Sequence, residues 1–341
     1  MRLHLALALL ASSLLVACDN EVSLLDDDPA LPVVYGVYNS ARSQQTLTVT
    51  KTFRFGDEGS AGQSAQTPDS VYYGADELSV VARSLATGSE VVAERYNAAD
   101  EGVTRQPGDF STGSVVAYRY NAAGLGIEVG DSLELLLERG GQEIARVRQV
   151  RLPELAFVAA RQPPSSYPVT SDNDFTFRWQ IVQPEQQPLI RAVEIGFNIA
   201  ITEIRGSERT QRVLYWAAGR DLTGESNATV AAVQLEGFYG FLLDKLDRDP
   251  DVVRKFDYMQ LVITAGDQAF RDYRALIDAN RGITSTQELP IFSNVEGAIG
   301  LYGSITQLRQ DPGAQLSTSG FDALFGLDGD VFNVAELNFE P

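Results

Sequence analysis

The chain has 341 residues, with 46 acidic side chains against 27 basic ones and a formal net charge of −19 at pH 7. So acidic a balance disfavours nucleic acid as a partner, because binding phosphates needs a basic face. The single histidine and single cysteine are His4 and Cys18. The rest of the chain is therefore excluded from Ser-His-Asp and Cys-His catalysis, His or Cys zinc sites, haem or iron–sulfur ligation and internal disulfides. Carboxylates, Arg, Lys, Tyr and Ser remain, with oxygen-ligand metals such as calcium. No cofactor is expected.

Arg2 followed by the apolar run Leu3 to Val16 reads as a secretory signal, too short and wrongly flanked for a membrane span. It closes on Leu15-Val16-Ala17-Cys18, a lipobox. Such a signal resembles those of bacterial lipoproteins, which implies removal of residues 1–17 and acylation of Cys18. The first expected partner is then the membrane, reached through acylated Cys18, where each buried CH₂ contributes about 0.8 kcal/mol. Loss of Arg2 leaves 26 basic against 46 acidic residues, a net charge of −20. Residues 18–30 form an acidic tether that ends at Asp26-Asp27-Asp28-Pro29. Acids directly after the cysteine resemble the export signals of Bacteroidota surface lipoproteins.

From Leu31 the texture is β-rich. Val33 to Tyr38 is one run, and Gln45 to Phe55 alternates cleanly. Leu47, Val49, Phe53 and Phe55 fall on one face, with Thr46, Thr48, Thr50, Thr52 and Arg54 on the other. Further strands are expected at 77–84, 90–96, 114–120, 131–138 and 142–151, separated by glycine turns. Short strands at this spacing predict an antiparallel, immunoglobulin-like β-sandwich over 31–160. The proline-rich stretch Gln162 to Pro168 is the expected boundary.

A second β-rich domain is expected over 161–341, giving two sandwich domains, the second with inserted helices. Phe175, Phe177, Trp179 and Ile181 point inward by alternation, and strands are predicted at 190–204, 212–217, 229–235 and 258–265. Helices are predicted over 237–246 and 268–279, with Phe270, Tyr273, Ala275 and Ile277 on the packed side. Near the end, Glu296, Ala298, Gly300, Tyr302 and Ser304 share one face of a strand that is nearly bare around a single tyrosine. Gly297, Gly300, Tyr302 and Gly303 are therefore candidates for close approach by a partner or by another backbone. The glycine spacing is not that of a nucleotide-binding loop.

Three stretches carry a resemblance: Pro32-Val33-Val34-Tyr35-Gly36 soon after the lipobox, Asp69-Ser70-Val71-Tyr72-Tyr73, and Phe292 to Ser304. Together they resemble a family of uncharacterised Bacteroidota outer-membrane lipoproteins, although Ala298 and Tyr302 stand where that family is expected to have Gly and Phe. The resemblance implies a β-rich protein of the outer membrane, often encoded beside TonB-dependent receptors, with no established activity to carry over. The expected role is a non-catalytic binding or assembly module with an outer-membrane protein as partner. A glycan-binding or carboxylate-dependent glycan-degrading protein is the alternative. For that alternative the aromatic candidates are Tyr72, Tyr73, Tyr118, Tyr120 and Trp216. Two acidic patches are weighed for calcium, namely Asp244, Asp247, Asp249 and Asp251, and Asp328-Gly329-Asp330 with Asn333 and Glu336. Neither has the order of an EF-hand, and charge runs usually lie in water.

Overall fold

The computed structural model describes residues 30–52, 65–103, 105, 113–169, 174–221, 231–234, 237–281, 293–327 and 334–340. The signal, Cys18, the tether up to residue 29, Phe53, Phe55 and the patch Asp328-Gly329-Asp330 with Asn333 lie outside them. No described helix is long and apolar enough to cross a membrane.

Alternation in the first half produces β1 (Pro32–Asn39), β2 (Gln44–Lys51), β3 (Ser79–Ser84), β4 (Glu90–Val92), β5 (Glu94–Asn97), β6 (Val116–Asn121), β7 (Ser132–Arg139) and β8 (Gln142–Val150). They pair in the orders β1-β2-β6-β5 and β4-β3-β7-β8. In strand letters these are A-B-E-D facing C′-C-F-G, the immunoglobulin-like sandwich. Leu47 and Val49 of β2, Val80 and Ala82 of β3, and Leu133, Leu135 and Leu137 of β7 fill the space between the sheets. Thr46, on the opposite face of β2, is exposed.

The second half contributes β9 (Leu155–Phe157), β10 (Ser166–Tyr167), β11 (Asp174–Phe177), β12 (Trp179–Ile181), β13 (Ala192–Arg205), β14 (Glu208–Asp221), β15 (Ala231–Gln234), α1 (Phe238–Lys245), β16 (Val253–Gly266), α2 (Gln268–Arg281), β17 (Ile299–Arg309), β18 (Gln315–Leu316) and α3 (Thr318–Leu324). The long strands pair as β14-β13-β16-β17. The short ladders β9–β12, β11–β15 and β10–β18, with α1 and α3, supply the second layer. Its aromatic core includes Phe177 and Trp179, each 0 % exposed as the inward face of 175–181 predicts, and Phe197 of β13, also 0 % exposed.

The expected division between residues 160 and 161 is corrected by β17. Its residues Ile299–Ile305 pair in parallel with Val33–Asn39 of β1, and Ile305–Arg309 pair antiparallel with Val262–Gly266 of β16. One eight-stranded sheet, β14-β13-β16-β17-β1-β2-β6-β5, therefore runs through both halves. Leu31–Pro341 is a single compact unit. The proline-rich stretch separates two hydrophobic cores, not two domains, because sheet hydrogen bonds cross from one half to the other through a strand distant in sequence.

Residues paired across a ladder share a face, so both cores lie on one side of the long sheet. Tyr302 points into the sandwich core and Leu308 packs on the second core. The other side carries α2, where Phe270 packs with Ala192 and Ile305, and with Val37 at its margin. Asp267 fixes this helix. Its Oδ1 accepts from the Phe270 N–H at 2.9 Å and its Oδ2 from the Ser304 N–H at 2.9 Å. Burial pushes the Asp267 carboxyl above the usual carboxylate range, against the opposing pull of these donors. Ala275, expected on the packed side of α2, is exposed. Phe270 faces the sheet as expected, and Arg274, one turn on, faces it as well.

Candidate functional site

Of the two approaches open to the glycine strand, by a partner or by another backbone, the second is the one made, and the partner-facing reading of Gly297, Gly300, Tyr302 and Gly303 is corrected. Tyr302 is 0 % exposed, and its hydroxyl lies 2.8 Å from that of buried Tyr120. Gly300 has φ +124°, and a Cβ there would stand 2.0 Å from the Val34 carbonyl oxygen. At Gly297, with φ +74°, a Cβ would stand 2.3 Å from the Ile144 carbonyl oxygen. Gly303 admits α2, with the Phe270 N 3.4 Å from an added Cβ. The close approach that glycine permits is thus used by β1, by β8 and by the helix. A polar bracket holds Tyr302: its N–H donates to Asn294 Oδ1 at 3.0 Å, and its carbonyl accepts from Asn294 Nδ2 at 2.8 Å and from buried Gln149. Burial drives the phenols of Tyr120 and Tyr302 well above the ordinary range.

Most of the aromatic candidates are core residues too. Tyr72, Tyr73, Tyr118 and Tyr120 are all buried. Of the four acids at the end of α1, the carboxylates of Asp249 and Asp244 are paired with cations. Asp249 pairs with Arg205, Asp244 lies 2.7 Å from Lys245 Nζ, and the Asp247 carbonyl accepts from Arg254 Nη2 at 3.0 Å. The Asp251 N–H and then the Arg205 guanidinium hold the Asp249 carboxyl below its usual value. Among the described residues no three His, Cys, Asp or Glu side chains gather as a metal site.

The most open feature is β14. It is one of the two terminal strands of the long sheet and, among the described strands, hydrogen-bonds only to β13. Its sequence explains the form. Leu214 and Trp216 point inward, where Trp216 stacks on Phe197 with ring centroids 5.6 Å apart. Val213 and Tyr215 point outward, 55 % and 41 % exposed. Gly196 of β13 makes room for Tyr215: a Cβ there would meet the Tyr215 hydroxyl at 2.5 Å. The tyrosine therefore lies across β13, and its hydroxyl donates to Glu194 Oε1 at 2.7 Å. Arg274 Nη2 of α2 donates to the same oxygen at 2.7 Å.

A groove of about 730 Å³ runs beside Tyr215–Gly219, between Phe241, Asp244 and Lys245 of α1 and Arg274 of α2. Each formal charge lining it has an opposite neighbour: Asp244 with Lys245, and Arg274 with the buried Glu194. A neutral groove along a strand edge, with Trp216 and Phe241 in one wall, can take an extended chain by continuing the sheet. It holds no pair of carboxylates facing each other across it. Alternation predicts a strand at 212–217 and leaves open whether it is central or terminal. The only local hint is the charge at Glu208, Arg209 and Arg212, of the kind that guards sheet edges.

No family model and no curated protein matches the chain. Among solved structures, one described as a cytokine receptor complex is similar at 15 % identity, over 84 % of this chain and 99 % of that one, with a TM-score of 0.21. The FN1-FN3 domains of chicken CNTN1 are similar at 9 % identity, over 84 % of this chain and 65 % of that one, with a TM-score of 0.17. At such TM-scores neither superposition bears on the fold, and the sandwich assignment rests on strand order.

Proposed function

We propose that the chain is a lipid-anchored, non-catalytic binding module of the outer membrane that takes up a strand of a partner protein along the edge of β14. The observation that carries this reading is the fourteen-residue β14 at the end of the sheet, with its flanking groove. Long sheet edges are normally blunted by charge, bulges or cover. Here the charged residues stand at the two ends of β14, Glu208, Arg209 and Arg212 at its start and Arg220 and Asp221 at its finish, while Val213 to Gly219 between them are apolar, aromatic or small. Main-chain hydrogen bonds to an added strand supply affinity, and the walls select its side chains. The lipobox at Leu15 to Cys18 supports the anchor, and tethering raises the effective concentration of a membrane partner. The resemblance in the N-terminal and closing motifs supports a TonB-dependent transporter as that partner's setting.

A photo-crosslinking residue at Val213, compared with one at Leu85 on the sandwich lobe, tests the surface in intact cells. Adducts with an outer-membrane protein are expected from position 213 alone. The same adducts from both positions, or none from 213, would count against the edge. Cys18→Ala should move the protein from the membrane to the soluble fraction. Its retention in the membrane would remove the anchor from the proposal.

A further inference from the structure

We infer that the cleft where the two lobes meet binds a small molecule through an oxyanion group, gripped by Arg42 and Arg151 beside the Tyr38 hydroxyl. The cleft holds about 610 Å³ and is lined by the turn after β1, the residues after β8, and Thr306 and Gln307 of β17. That volume lies in the usual range for small-molecule sites.

Its charge is the reverse of the molecule's. In a chain of 46 acids and 27 bases, a cleft lined by two arginines and one carboxylate stands against the overall balance. Ten of the described arginines lie within 4.0 Å of a carboxylate. Arg42 and Arg151 line the cleft together and make no such pair among the described residues. Glu154 is the one carboxylate in the lining, and it is not within that distance of either. Arg309 stands close by, and the Arg42 charge adds to its desolvation in lowering its pKa.

The backbone that carries these donors is also held in place before any ligand arrives. Buried Gln45 braces the turn that carries Arg42: its Nε2 donates to the Arg42 carbonyl at 2.6 Å, and its Oε1 accepts from the Asn39 N–H at 2.8 Å. Ser40 joins the turn to both lobes. Its N–H donates to the Ile305 carbonyl at 2.8 Å, and its Oγ accepts from the Leu152 N–H at 2.9 Å. Arg151 donates through Nη1 to the Ile127 carbonyl at 2.5 Å, while its buried Nε has no partner. Tyr38 is 3 % exposed and lines the cleft, and among the described residues its hydroxyl has no hydrogen-bond partner. Two guanidinium groups and a phenol with unmet donors suit a carboxylate, sulfate or phosphate group. Leu155, Ala122 and Ala123 leave apolar room for the rest of the ligand.

The test is calorimetric titration of the purified protein, at low salt, with galacturonate, inorganic sulfate and inorganic phosphate in turn. Saturable one-site binding of at least one probe is expected, and the probe that binds identifies the oxyanion. Arg42→Gln and Tyr38→Phe should each weaken it about tenfold or more, while Arg161→Gln, at an exposed arginine outside the cleft, should leave it unchanged. Melting curves of the variants separate loss of binding from loss of fold. No saturable binding of any probe at about 10 mM, or equal weakening by Arg161→Gln, overturns the inference.

Discussion

Gly300 and Tyr302 show how much a single residue decides in β17. A methyl group at Gly300 would meet both an unfavourable φ and the Val34 carbonyl. Gly300→Ala should therefore cost about 2–4 kcal/mol, read from the urea midpoint. At Gly303 the nearest atoms to an added Cβ are 3.4 Å away, so Gly303→Ala should stay within about 1 kcal/mol. Tyr302→Phe leaves the Tyr120 hydroxyl buried without its partner, at a cost of about 1–3 kcal/mol. The double variant with Tyr120→Phe should be less destabilised than the two single losses summed, and strict additivity would show that the hydroxyl pair contributes nothing. These phenols also set an alkaline limit. Folding raises the pKa of Tyr38, Tyr118, Tyr120 and Tyr302, and pushes Tyr73 up to about 12, chiefly by burial. Above pH 10 the unfolded chain loses protons that the folded chain keeps. Stability is therefore full below that pH and should fall as pH rises toward 12. An unfolding free energy flat over that window would contradict the burial.

Among the elements, β16 ties the second lobe's end segments together through Arg254. This side chain is 1 % exposed. Its Nε donates to Glu203 at 3.0 Å, its Nη1 to the Leu337 carbonyl at 2.8 Å and its Nη2 to the Asp247 carbonyl at 3.0 Å. Three directions of donation need a planar fork, which an ammonium cannot reproduce. Arg254→Leu should cost about 3–5 kcal/mol, and Arg254→Lys should recover only part of that, measured by denaturant titration. Equal stability of the lysine variant and the parent would show that charge alone matters. Local alternation marks β2 as a strand, apolar and β-branched runs mark β7, β13 and β16, and the inward face of 175–181 was legible residue by residue. The neighbours of these strands were not. Nothing local in Ile299–Arg309 says that half of it pairs with β1 and half with β16, because a period of two defines faces and not partners.

For the whole molecule, the shared strand makes the two cores one cooperative structure. A scanning calorimetry trace should show a single transition, and a fragment limited to residues 31–160 should fail to fold stably, because its A strand would lose β17 and its core would lose Tyr302. Two resolved transitions, or a well-folded fragment, would restore the division that the proline-rich stretch suggests. The sequence by itself determined most of the longer strands, the inward face of 175–181, the helices expected at 237–246 and 268–279, and the exclusion of histidine and cysteine chemistry. Each of these depends on residue type and on spacing within a dozen positions. Only the tertiary structure decided that Tyr302 is buried, that β14 ends the sheet and that Arg42 and Arg151 meet in one cleft. Tyr302 and the cleft are built from segments more than a hundred residues apart, and the place of β14 is set by which strands pair elsewhere in the sheet, none of which a local pattern encodes.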